Sequence, residues 1–168
     1  EGGRPHDGRA GVGIMAAPRT FQVMSKPTGA ICNLDCDYCY FLSKEELYPG
    51  SGFRMPDAVH SAYVEQLLAA HTEDAEVTFV FQGGEPLLMG VDFFRRTLEL
   101  QEQFRRGSQR ILNAVQTNGT LIDKRFIDLC RRFSISVGIS VDGPPDVQDR
   151  VRNDAGAAFR GLMLLDRA

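Results

Sequence analysis

Short apolar runs alternate with longer stretches whose apolar residues return every three or four positions, and the alternation begins at Phe21. Phe21 to Ser25 predicts a first strand. Behind Pro56 and Asp57, the residues Val59, Tyr63 and Leu67 set an apolar stripe on a first helix, which Thr72 to Asp74 closes. Val77 to Phe81 is a compact run of β-branched and aromatic residues, the composition of a strand buried on both faces. Phe93, Leu100 and Phe104, with Phe94 and Leu98 alongside, mark a second helix whose Arg95, Arg96, Arg105 and Arg106 face water. Ile111 to Gln116 predicts a third strand. Asp123 can cap a third helix carrying Phe126, Cys130 and Phe133 on one stripe. Ile135 to Val141 predicts a fourth strand, and a fourth helix runs from Ala157 to Ala168.

Four β/α units in series imply parallel pairing through right-handed crossovers, hence an α/β layer or barrel. Each unusual motif follows a strand: the cysteines the first, Gly83 to Pro86 the second, Thr117 to Gly119 the third, Asp142 to Pro144 the fourth. In parallel β/α folds the carboxyl ends of the strands form the ligand-binding rim, so four motifs there describe one site.

With 19 Lys and Arg against 22 Asp and Glu the net charge is −3, and no long basic block occurs, which argues against nucleic acid or an anionic membrane as the main partner. No stretch approaches the ~18 apolar residues of a membrane span, and no secretory leader is evident, so a cytoplasmic protein is expected. Residues 1–20 read as a disordered tail, glycine-rich up to Ile14, with Met15 a candidate for the true start.

Three of the four cysteines, Cys32, Cys36 and Cys39, form a C-x3-C-x2-C array in the loop after the first strand. Thiolates ligate iron–sulfur clusters, and three of them on a cubane [4Fe-4S] cluster leave one iron open to a small molecule. Structural zinc would want a fourth ligand. The candidates are poor: His60 and His71 read as surface residues of the first helix, His6 lies in the tail, and Cys130 belongs to a helix stripe.

The cysteine array followed by Tyr40, with Gly-Gly-Glu-Pro after the next strand, resembles the radical S-adenosylmethionine (SAM) superfamily. Ser25 to Cys32, Phe81 to Pro86, Gln116 to Thr120 and Gly138 to Pro144 resemble more narrowly the anaerobic sulfatase-maturating enzymes, peptide maturases of the SPASM type. The resemblance covers Phe21 to Ala168. It implies the first four β/α units of a partial (β/α)6 barrel, an incomplete radical SAM domain over residues 21–168. It also implies a [4Fe-4S] cluster on Cys32, Cys36 and Cys39 whose open iron chelates SAM.

Of the remaining site residues, Gly83 and Gly84 allow backbone to approach the methionine end of SAM. Glu85 accepts from its ammonium or braces the loop. The resemblance implies that Ser140 and Arg152 reach its carboxylate and that Tyr38 lies near its adenine. Gln82 faces SAM or substrate. Asn118 and Asp142 read equally as turn formers and as site residues.

The implied reaction is oxidation of a cysteine, or a serine, in a target sulfatase to Cα-formylglycine, with electrons from a donor such as ferredoxin or flavodoxin. The catalytic base is expected beyond Ala168, and these residues alone are expected to be inactive. The alternatives are a maturase forming thioether or carbon–carbon crosslinks in another peptide, and a non-catalytic iron–sulfur or zinc module.

Overall fold

The computed structural model describes residues 21–167; the expected tail and the candidate start at Met15 lie outside them. Four strands form one sheet: β1 (Val23–Ser25), β2 (Glu76–Phe81), β3 (Arg110–Thr117) and β4 (Ser136–Ile139). The order is β1-β2-β3-β4, with every neighbouring pair parallel. Sequential parallel strands side by side, each followed by helix, make the wall of a barrel rather than a doubly wound sheet, in which the order reverses.

The helices are α1 (Asp57–Ala69), α2 (Val91–Phe104), α3 (Lys124–Phe133), α4 (Pro145–Val151) and α5 (Ala155–Asp166), with 3-10 turns at Leu42–Leu47 and Pro86–Met89. The expected single helix after β4 is therefore two. The sequence hides α4 because it spans only seven residues, with Val147 and Val151 half-buried and Gln148 its one buried residue. Asp123 caps α3 as expected, accepting from the Phe126 N–H at 2.8 Å.

The core lies between the helices and one face of the sheet. Val77, Phe79 and Phe81 of β2 are buried there with Phe94, Leu100, Val115, Phe126 and Cys130. Phe94 stands edge-on to Phe81, with ring centroids 5.7 Å apart, and close to Phe126 at 5.6 Å. Contrary to expectation β2 is not buried on both faces: Thr78 and Val80 point to the other side of the sheet and are only half-buried among the described residues. The apolar composition of β2 belongs to a strand whose second face is open here.

The stripe on α1 is displaced by one residue from the expected one. His60, Val64, Leu67 and Leu68 are buried, whereas Val59 is 52% exposed. His60 and His71, expected at the helix surface, are 2% and 4% exposed. His60 stacks on Phe93 and bonds Thr97 of α2 at 2.8 Å, and His71 bonds the Leu67 carbonyl through Nδ1 at 2.7 Å. Phe133, expected on the buried stripe of α3, is 42% exposed at the helix end, where Ser134 turns left-handed at φ 51°. The arginines of α2 do face water, where Arg95 pairs with Asp92 and Arg96 with Glu99. Among the described residues no helix is long and apolar enough to cross a membrane.

Candidate cluster and cofactor site

The cysteine loop leaves β1 and is stitched to the turn after β2. Gln82 N–H donates to the Ser25 carbonyl at 3.0 Å, Gly84 N–H to Gly29 at 2.9 Å and Glu85 N–H to Ile31 at 2.9 Å, so the sheet pairing continues past the strand ends into the loop. Side chains would prevent this. A β-carbon on Gly84 would sit 1.9 Å from the Ile31 oxygen, and Gly83, at φ +127°, would bring one within 2.9 Å of the Gly29 oxygen. The absence of side chains at these two positions lets the protein's own cysteine loop approach closely.

Glu85 takes the bracing role. Its side chain is fully buried: Oε1 accepts from Leu87 N–H and the Thr117 hydroxyl, both at 2.8 Å, and Oε2 from Asn118 N–H at 2.8 Å. Burial pushes its pKa up, and the three donors pull it back. One carboxylate thereby ties the turn after β2 to the end of β3.

Asn118 extends that tie to the cysteines. Its amide nitrogen donates to Asn33 Oδ1 at 2.9 Å and lies 3.6 Å from the Cys32 sulfur, toward which Leu34 N–H also points at 3.4 Å. The turn residue thereby also contacts the cysteine loop.

The other flank of the loop rests on the segment after β4. Asp37 N–H donates to the Val151 carbonyl at 3.2 Å, and Asn153 reaches the Asp35 carbonyl at 3.3 Å. Asp142 accepts from the Tyr38 hydroxyl at 2.6 Å and from Arg152 Nε, while the Arg152 guanidinium lies over the Tyr38 ring at 5.2 Å. The Arg152 bond holds the Asp142 carboxyl below its ordinary range. Ser140 follows β4, and its hydroxyl accepts from Gln116 at 3.1 Å. Gln82 is half-buried at the end of β2, on the same rim. Sequence reasoning missed Gln148, which is fully buried and accepts from the Asp142 N–H at 2.8 Å, holding the turn after β4. A glutamine in so short a helix gives no signal of this.

Burial pushes the Cys32 and Cys36 thiols up in pKa, opposed by the Leu34 N–H at Cys32 and by the Arg152 charge at Cys36. Cys130 lies apart, buried in α3, with its pKa pushed by burial to about 11. Among the described residues no three His, Cys, Asp or Glu side chains gather closely enough to grip a single metal ion. Three thiols on one loop, with two N–H groups aimed at one sulfur, are the donor chemistry of an iron–sulfur cluster. A groove of about 710 Å³ between α2 and α3, edged by Arg95, Glu99, Arg125 and Phe133, lies on the helix side of the sheet, away from the thiols.

The model of a family described as the radical SAM superfamily matches residues 27–164. The chain belongs to the radical SAM superfamily. Within it, the chain is 38% identical over 162 residues to the serine-type anaerobic sulfatase-maturating enzyme of Klebsiella aerogenes, covering 90% of this chain and 39% of that enzyme. It is 37% identical over 134 residues to the cysteine-type enzyme of Clostridium perfringens (strain 13 / Type A), covering 79% and 35%. Among solved structures it resembles native anSMEcpe with bound AdoMet, at a TM-score of 0.77 and 33% identity over 86% of this chain and 40% of that one. The same protein with AdoMet and a Cp18Cys peptide gives 0.76. This radical SAM chain therefore carries the first four β/α units of that barrel and spans about two fifths of the length of these relatives.

Proposed function

We propose that the protein oxidises a cysteine or a serine of a target sulfatase to Cα-formylglycine, using a [4Fe-4S] cluster and SAM. The observation that carries this reading is the cysteine loop: it is clasped between the turns after β2, β3 and β4, and its three thiols stand apart from the fourth cysteine. Serine-type and cysteine-type relatives match almost equally, at 38% and 37% identity, so both target residues belong to the proposal.

Cys32, Cys36 and Cys39 hold the cluster as thiolates. When bound, cluster and SAM would together supply a 5′-deoxyadenosyl radical able to take one hydrogen atom from the β-carbon of the target residue. Loss of a further electron and a proton would give the aldehyde from serine or a thioaldehyde from cysteine, and water would hydrolyse the latter to formylglycine with release of sulfide. Arg152 offers its guanidinium to the SAM carboxylate: among the described residues only Asp142 takes a hydrogen bond from it, and through Nε, so the terminal amino groups take no part in that bond. Ser140 adds a hydroxyl beside it, Tyr38 a ring face, and Gln82 an amide on the rim. Gly83, Gly84 and Glu85 hold the rim in shape. An electron donor such as ferredoxin or flavodoxin reduces the cluster, in the reducing cytoplasm that keeps the four thiols free.

Anaerobic reconstitution with iron and sulfide tests the reading. Cys32→Ala, Cys36→Ala and Cys39→Ala should each lose cluster iron and its visible absorbance, whereas Cys130→Ala should keep both. SAM should alter the electron paramagnetic resonance spectrum of the reduced cluster, and the chain extended by its native downstream sequence should convert a sulfatase-derived peptide, read by mass spectrometry. An unchanged spectrum at saturating SAM sinks the proposal.

A further inference from the structure

We propose that Asn118 is a positioning residue that raises the reduction potential of the cluster by donating its side-chain N–H to the Cys32 sulfur. The inference rests on the cluster reading above and concerns a residue for which turn formation alone is an incomplete account. An Asn-Gly turn explains Gly119, at φ +82°, but says nothing about where the asparagine amide is aimed.

The orientation of that amide is fixed by chemistry. Its Oδ1 faces the Thr120 backbone N–H at 2.9 Å, a group that can only donate, and the Thr120 hydroxyl at 2.7 Å. The same hydroxyl accepts from Asn33 Nδ2 at 2.8 Å, and Asn33 Oδ1 accepts from Asn118 Nδ2 at 2.9 Å. Asn118, Thr120 and Asn33 therefore close a ring in which a flipped amide would set donor against donor. The atom 3.6 Å from the Cys32 sulfur is then Nδ2, a donor.

The residue is also held from behind. Its backbone N–H donates to the fully buried Glu85, and Asn118 itself is 6% exposed. The Leu34 N–H that also faces Cys32 belongs to the cysteine loop and moves with it. Asn118 arrives from β3 and fixes the sulfur relative to the sheet. Hydrogen bonds to cluster sulfurs favour the more electron-rich state, because the acceptor gains negative charge on reduction. Removing one donor should therefore lower the potential.

The test is a redox titration of the reconstituted chain, followed by electron paramagnetic resonance, in which one electron passes from dithionite to each cluster. Asn118→Ala should bind as much iron as the wild type, with its reduction equilibrium constant lowered about threefold to tenfold; tenfold is about 59 mV for one electron. Asn118→Asp keeps the shape and the Thr120 contacts but sets a carboxylate oxygen against the sulfur, and should shift further in the same direction. Thr120→Val loosens the ring without removing the donor and should shift less than either. Iron-loaded Asn118→Ala and Asn118→Asp proteins with the wild-type potential overturn the proposal. So does loss of iron from both with circular dichroism unchanged, since the amide would then hold the loop rather than set the potential. A folded wild-type chain that takes up no iron at all is a different result: it overturns the cluster reading itself.

Discussion

The Ile31 carbonyl oxygen occupies the place of a Gly84 side chain, 1.9 Å from where a β-carbon would stand. The contact joins the cysteine loop to the turn after β2, and the hydrogen bonds on either side of it run from Gly84 N–H to Gly29 and from Glu85 N–H to Ile31. Gly84→Ala can be accommodated only by pushing the loop away and stretching both bonds. Overpacking of this kind costs about 1–3 kcal/mol. Urea denaturation should show that loss, and iron uptake of the folded fraction should fall with it. Gly52→Ala is the control: nothing lies within 4 Å of its β-carbon, and it should leave both measurements unchanged.

Glu85 predicts a second loss. Every group facing its carboxylate is a donor: two backbone N–H groups and the Thr117 hydroxyl. Glu85→Gln replaces one acceptor oxygen by an amino group that confronts a donor in a fully buried position. An unsatisfied buried polar group costs about 1–3 kcal/mol, and more where the lost partner was charged. The variant should melt well below the wild type, and Glu85→Asp, too short to reach all three donors, should not restore it.

The same residues show where a sequence can be read and where it cannot. The cysteine spacing and the strand-end placement of Gly83 to Pro86 are local in the chain, and the structure brings these motifs to one rim. Apolar periodicity sets the stripe of α1 on Val59, one position before the buried His60. His60 is buried through its stack on Phe93 and its bond to Thr97, partners 33 and 37 residues away. Gln148 was invisible for the same reason: its partner is the Asp142 N–H across a turn. Gly84 shows in sequence only that a backbone can approach closely, and the structure adds that the cysteine loop is one that does. Apolar periodicity reports burial by the hydrophobic effect, while polar residues buried by hydrogen bonds leave no period.

His60 makes stability depend on pH. The Thr97 hydroxyl donates to the Phe93 carbonyl, so its oxygen accepts from His60 Nε2–H. Burial holds its pKa below the ordinary 6.5. The unfolded chain therefore takes up a proton before the folded one does as pH falls, and by linkage the stabilisation from this site is full above about pH 6.5 and lost between there and the lower folded pKa. Urea midpoints should drop on going from pH 7.5 to 5.5. The difference between wild type and His60→Gln should narrow over that interval, and a constant difference would show that the ring does not titrate there.

Arg152 gives the last prediction. Its Nε is engaged by Asp142, which also accepts from Tyr38, so the guanidinium plane is set by two elements, the turn after β4 and the cysteine loop. A fork so oriented can meet both oxygens of a carboxylate, which a lysine ammonium cannot do while also holding Asp142. Arg152→Ala should weaken the SAM-induced change in the cluster spectrum by about 1.5–3 kcal/mol, the range for a hydrogen bond to a charged group. Arg152→Lys should recover only part of it. Asp142→Asn should fall between, because the arginine keeps its charge and loses its anchor. The Asp142 carboxyl lies below its ordinary range, so the anchor persists as pH falls through the usual carboxylate range and is lost only through the lowered pKa. SAM titrations of the four proteins at pH 7.5 separate these cases: equal responses from Arg152→Ala and wild type would remove Arg152 from the SAM site.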